Sequence, residues 1–143
     1  MAESIKWDDQ YSVGVKLIDE QHQQLMVLTN ALYEACNHGG EEMNSKFKMA
    51  ARMAVEYVVV HFSTEEELME KINYPDMEAH KREHKKFAKT VLDTVKQFEE
   101  GGIYAPHAFV RFLRNWIFQH IALVDKRLGT YYMQAEEEKK ALV

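Results

Sequence analysis

NWIFQHIALVD, residues 115–125, is the stretch on which the reading of this chain turns. Ile117 and Ile121 stand one helical turn apart, as do Trp116 and His120, so the stretch reads as the inner face of a helix. Yet it also carries His120 and Asp125. A buried carboxylate without a partner is costly, on the order of several kcal/mol. Five residues of α-helix turn through ~140°, so the two polar residues should flank the apolar stripe rather than stack. Either a cleft opens between them or a π-bulge brings them together, and such bulges favour functional sites.

The remaining sequence supplies helices for this one to pack against. NHGG at 37–40, YPD at 74–76 and GG at 101–102 are stop signals, with Asp76 placed to N-cap and Pro106 suited to a first turn. They separate segments of roughly 19–37, 42–72, 76–99 and 106–128, and a further tail of about 130–142 is also helical in pattern. Residues 1–18 read as an extended arm carrying Trp7, Tyr11, Val13 and Val15, and no strand pattern of any length occurs. Short connections between consecutive helices predict an all-α, up-down-up-down antiparallel four-helix bundle. The expected organisation is one domain over 1–143, with an arm at 1–18, a bundle at 19–128 and a C-terminal helical tail at 129–143.

Each segment has an apolar stripe at spacings of three and four. The first runs Ile18, His22, Leu25, Leu28, Leu32, Cys36, and the second Phe47, Ala50, Ala54, Val58, His61, Glu65, Leu68, Ile72. The third runs Met77, His80, His84, Phe87, Val91, Val95, Phe98, and the fourth Phe109, Leu113, Trp116, His120. Polar residues therefore replace apolar ones on core-facing stripes. His38 and His107 do not; they fall at a helix end and a helix start and read as surface residues. In an antiparallel bundle the start of the first helix, the later part of the second, the start of the third and the end of the fourth share one end. His22, His61, Glu65, His80, His84, His120 and Asp125 thus converge on one interior address.

Composition narrows the function classes. The net charge of −5 argues against a broad nucleic-acid surface and against adsorption to anionic membranes. Cys36 is the only cysteine, so no internal disulfide framework exists. MAESIKWDD has no apolar run of signal length, and no segment approaches the ~20 apolar residues of a membrane helix. These features predict a cytoplasmic protein without membrane insertion.

Five imidazoles and two carboxylates are too many for one tetrahedral zinc. Two six-coordinate metals use them better. With both carboxylates bridging and one oxide or hydroxide between the metals, a single coordination position stays open. Mixed imidazole and carboxylate donors suit iron among other transition metals. Ferritin-like di-metal bundles use Glu-x-x-His motifs and are carboxylate-rich, whereas this set is rich in histidine. A pair of irons with one open position between apolar walls suits a small diatomic molecule. Leu25, Phe62, Trp116, Ile117 and Ile121 are the expected wall, and a dry wall hinders proton leakage. No Ser, Cys or Lys sits on the stripes next to the ligands as an obvious nucleophile, which favours binding over enzymatic turnover.

With these motifs in view, the chain resembles the haemerythrins, of the bacterial single-domain type. The resemblance rests on WDDQYSVGVKLIDEQH at 7–22, HFSTEE at 61–66, YPDMEAHKREH at 74–84 and WIFQHIALVD at 116–125. It implies that His80, His84 and His120 bind one iron, that His22 and His61 bind the other, and that Glu65 and Asp125 bridge them. It also implies two iron ions (Fe2+/Fe3+) with a bridging oxo or hydroxo group, and dioxygen as the ligand. Dioxygen would bind reversibly at the iron with two histidines, for storage, transport or delivery. The alternative it implies is an oxygen or redox sensor acting through a protein partner, an oxygen-consuming or signalling protein. The expected state is a monomer.

Overall fold

The computed structural model describes residues 5–38, 40–101 and 106–142; of His38 and Glu42 it describes the backbone alone. The apolar stripes fold as the spacing requires. Helix α1 covers Lys16–His38, α2 Gly40–Lys71, α3 Met77–Glu99 and α4 Pro106–Asn115. A π-helix over Trp116–Asp125 follows α4, and α5, Lys126–Ala141, follows it in turn. The fourth rod of the bundle is therefore α4, the π segment and α5 in unbroken succession. It passes through residue 128, where the sequence pattern put the end of the bundle.

Two boundaries differ from expectation for a local reason. Helix α1 starts at Lys16, three residues before the expected segment of 19–37, where the arm is tied to its first turn. The Asp19 carboxylate accepts from the Ser12 hydroxyl at 2.6 Å and from the Val13 N–H at 2.8 Å, while the Asp19 N–H donates to the Val15 carbonyl. Asp76 does stand at the N-cap of α3, but its side chain makes no capping bond; its carbonyl takes the His80 N–H at 3.0 Å instead.

The rods pack α1 on α2 and on α4, and α2 on α3. Phe87 joins α3 to the fourth rod, with ring centroids 5.1 Å from Phe112 and 4.3 Å from Trp116. One end of the bundle is purely apolar: Leu32, Phe47 and Leu113 are fully buried there, and Phe47 meets Phe98 and Phe109 at 4.9 and 5.7 Å. Burying each such side chain contributes about 1.5–3 kcal/mol. This end therefore carries the fold, while the opposite end holds the polar residues.

From Ile5 onward the arm is held against the bundle. Asn30 pairs with both backbone groups of Ile5, at 2.8 and 2.7 Å, and Lys126 donates to the Gln10 carbonyl at 2.9 Å. Tyr11 and Val13 are buried. Gly129 lies so close to the arm that a Cβ on it would sit 1.8 Å from the Val13 carbonyl oxygen. Among the described residues no helix is long and apolar enough to cross a membrane. His107 is exposed, as its position suggested; the side chain of His38 lies outside the described residues.

Candidate metal centre

The π segment resolves the problem posed by His120 and Asp125. In a π-helix each N–H reaches five residues back, so residues five apart lie one above the other. His120 Nε2 and Asp125 Oδ1 are 3.0 Å apart, both buried. Of the two arrangements open to the sequence, the structure has the bulge.

All seven polar residues converge. His22, His61, Glu65, His80, His84, His120 and Asp125 are each at most 3% exposed. Their donor atoms form two overlapping sets: Glu65, His80, His84, His120 and Asp125, and His22, His61, Glu65 and Asp125. The two carboxylates belong to both. Asp125 divides its oxygens, with Oδ1 at 2.9 Å from His80 and 3.0 Å from His120, and Oδ2 at 3.0 Å from His22. Glu65 does the same, with Oε1 at 2.5 Å from His61 and Oε2 at 3.4 Å from His80; Oε1 also lies 3.6 Å from His84. Neighbouring donors ~2.1 Å from one first-row ion stand ~3 Å apart, which is the spacing found.

Outside the cluster, three imidazoles are held by their other nitrogen. His61 Nδ1 meets Gln21 Oε1 at 2.6 Å, His84 Nδ1 meets Glu66 Oε2 at 3.0 Å, and His120 Nδ1 meets Glu83 Oε2 at 2.8 Å. An acceptor at Nδ1 fixes the proton there and leaves Nε2 bare toward the centre. Sequence reasoning passed over Gln21, Glu66 and Glu83. The available signal was position: each is a carboxylate or amide within a turn of a stripe histidine or directly beside one.

Electrostatics reflect the crowding. Burial is the largest influence on Asp125 and opposes its ionisation, but His120, His22 and His61 outweigh it and hold the carboxyl well below its usual range. Burial and the charge of Asp125 likewise push Glu65 up, and His61 and His80 bring it below the usual range. For the imidazoles the balance is reversed. Burial alone would lower His61 and His80, yet the two carboxylates raise them to about 9 and about 10.

The donor set fits a pair of metal ions. Among the described residues, nine buried atoms of the cluster, including both oxygens of Glu65 and of Asp125 and the Nε2 atoms of His80, His84 and His120, have no hydrogen-bond partner outside the cluster itself. Orphaned buried acceptors are costly. Cations at the foci of the two sets would satisfy them together.

The expected wall residues have distinct places. Phe62 stacks on His84 with ring centroids 3.8 Å apart, and Trp116 stacks on His120 at 3.7 Å. Both therefore cover the three-histidine set. Leu25 lines a groove of about 130 Å³ between α1 and α2 with Gln21, Tyr57 and His61, on the two-histidine side. Ile117 and Ile121 are fully buried in the same core, whereas Trp116 is half-buried. Tyr57 was missed: the stripe was drawn through Val58, but Tyr57 is the more buried of the two. It stacks on His61 at 4.6 Å and accepts the Trp116 indole N–H at 3.3 Å. Burial first, then Asp125 and Glu65, raise its phenol well above the usual tyrosine range, so it stays protonated.

The model of the family described as "Hemerythrin HHE cation binding domain" matches residues 13–132. The chain belongs to the haemerythrin family. It is 32% identical over 120 residues to a bacteriohemerythrin of Methylococcus capsulatus, covering 84% of this chain and 89% of that one. A hemerythrin-like protein of Naegleria gruberi is 31% identical over 121 residues, covering 85% and 87%. A crystal structure of wild-type hemerythrin superimposes with a TM-score of 0.80 at 31% identity, covering 90% of this chain and 97% of that one. The haemerythrin match thus takes in all seven residues of the buried cluster.

Proposed function

We propose that this chain, as a single domain, binds dioxygen reversibly at a pair of iron ions, for oxygen storage, transport or delivery. The observation that carries the reading is the sharing of Glu65 and Asp125 between the two donor sets. His80, His84 and His120 would hold one iron, His22 and His61 the other, and the two carboxylates would bridge. When bound, the iron pair with its bridging oxo or hydroxo group supplies electrons that dioxygen takes up and gives back. The chain's own residues do the rest. Gln21, Glu66 and Glu83 orient His61, His84 and His120. Phe62, Ile117 and Ile121 exclude water, and Leu25 lines the groove between α1 and α2 beside His61. No side chain in this role is asked to form a bond with substrate, so the reading is of a binding protein and not of an enzyme.

A second reading has one observation in its favour. The π segment carrying His120 and Asp125 continues directly into α5, which clamps the arm through Gly129 and meets the α2–α3 loop through Tyr131 and Tyr74 at 5.3 Å. A sensor acting through a protein partner could use that continuity. The two share one test of the centre. Iron-loaded, reduced protein should gain a visible absorption band in air and lose it under argon. A spectrum unmoved by oxygen would contradict binding of dioxygen in either role.

A further inference from the structure

The contacts behind the histidines are not alike on the two sides of the cluster. His84 and His120, of the three-histidine set, each direct Nδ1 to a carboxylate, Glu66 at 3.0 Å and Glu83 at 2.8 Å. His61, of the two-histidine set, directs Nδ1 to the neutral amide oxygen of Gln21 at 2.6 Å. His22 Nδ1 and His80 Nδ1 have no hydrogen-bond partner among the described residues. The negative contacts therefore all fall on one side.

They are not ordinary surface pairs. His84 and His120 are 2 and 3% exposed, and the contact is the imidazole's outward nitrogen. Glu83 and Glu66 are half-exposed while their partners are buried. Lys86 and Arg127 line grooves on either side of Glu83, yet among the described residues neither pairs with it. A carboxylate behind an imidazole raises the basicity of the nitrogen facing the metal, and loss of such a partner typically costs 10–100-fold in metal affinity. That gain is greater for a trivalent than for a divalent ion.

We propose that Glu83 and Glu66 are positioning residues that make the two metals electronically unequal: through His120 and His84 they favour the ferric ion at the three-histidine position, while Gln21 leaves the two-histidine position the more reducible. This rests on the di-iron reading above. It gives the carboxylates a task beyond orienting the rings. A neutral acceptor such as Gln21 orients His61 equally well, so the charge has an effect that geometry alone does not supply.

The experiment is an anaerobic redox titration of iron-loaded protein, followed by absorption and by the mixed-valent signal in electron paramagnetic resonance. Iron content is measured first. Fewer than two irons per parent chain would overturn the di-iron reading itself. With two irons present, Glu83→Gln and Glu66→Gln should each raise the potential of the three-histidine iron. A tenfold loss of ferric preference corresponds to 59 mV for one electron. Glu83→Asp should restore much of the shift, and Gln21→Glu should lower the potential of the other iron and bring the two steps closer. Potentials equal to the parent's in both glutamine variants, with two irons bound, would overturn the proposal. If Glu83→Gln loses its iron, Gln21→Glu decides, since it keeps an acceptor at His61 Nδ1 and gives up only the amide's 3.3 Å bond to Thr64; an unchanged separation of the two steps there would also overturn it.

Discussion

Glu65 and Asp125 bring two negative charges into the interior, and imidazoles are the groups that face them. In protein stripped of metal, His61 and His80 are held in the charged form up to about 9 and about 10. Both values lie above the ~6.5 of an unfolded histidine. The stabilisation they give is therefore fully present below pH ~6.5 and is lost as pH rises through about 9 and then about 10. Stripped protein should melt at progressively lower temperature between pH 7 and 10.5, which melts across that range will show. The loaded protein should behave in the opposite sense, because a metal needs neutral imidazoles and acid will release it. Metal uptake at pH 7 should accordingly expel protons, measurable with an indicator dye. Uptake without proton release would contradict the charge balance drawn here. Ile117 tests the wall in the same way. It is fully buried and carries no donor, so Ile117→Ala should leave two irons bound, cost about 2–5 kcal/mol of stability and let water nearer the centre. The visible band formed in air should then fade faster. A variant with full iron and an adduct as long-lived as the parent's would displace Ile117 from the pocket.

Elements were legible where one periodicity governs a whole helix. His80, His84, Phe87 and Val91 lie on a single stripe of α3, and all four are buried as that stripe requires. In the 32 residues of α2 the pattern drifts by a residue, so Tyr57 and Met69 are more buried than the Val58 and Leu68 chosen from spacing. The π segment was legible only as one of two options. A five-residue gap between His120 and Asp125 shows that α-helical geometry fails there, but only the packed neighbours decide how. The start of α1 was hidden for a different reason, since its first turn is tied to the arm by bonds from Ser12 and Val13 to the Asp19 carboxylate, which no periodicity shows. Gln21, Glu66 and Glu83 sit off the stripes, where polar residues are ordinary, so closeness to a stripe histidine was their one signal. The contact of α5 with the arm was likewise absent from the pattern, since Gly129 looks like a helix breaker and is in fact a point of close approach. Gly129→Ala would place a methyl group 1.8 Å from the Val13 carbonyl oxygen, so the arm must move. The expected loss is about 1–3 kcal/mol in chemical denaturation, as for overpacking of a core. The protein should also show faster amide exchange around Val13 and Asp19. An unchanged midpoint and exchange pattern would show that the arm is not clamped there.

At the scale of the whole molecule the two ends of the bundle have different duties. The apolar end around Phe47, Phe98 and Phe109 can hold together by burial alone. The other end encloses orphaned acceptors contributed by all four rods, from His22 in α1 to Asp125 in the π segment. Ions at that end would join rods that, without metal, meet there only through pairs between two buried carboxylates and the imidazoles. Their binding free energy is then also folding free energy, because the unfolded chain has no preformed site. Loading should raise stability by several kcal/mol at order of magnitude. The gain should be uneven along the rods. Amide exchange should slow most in the turns around His61–Glu65, His80–His84 and His120–Asp125, and least near Phe47 and Phe109. Two irons should be recovered per chain, and a chelator at mild acid should reverse both the stabilisation and the protection. Recovery of one zinc per chain with no uptake of iron on reconstitution would contradict the shared-carboxylate reading. Equal melting temperatures with and without metal would show that the polar end stands without its ions, and the division of labour between the two ends would have to be abandoned.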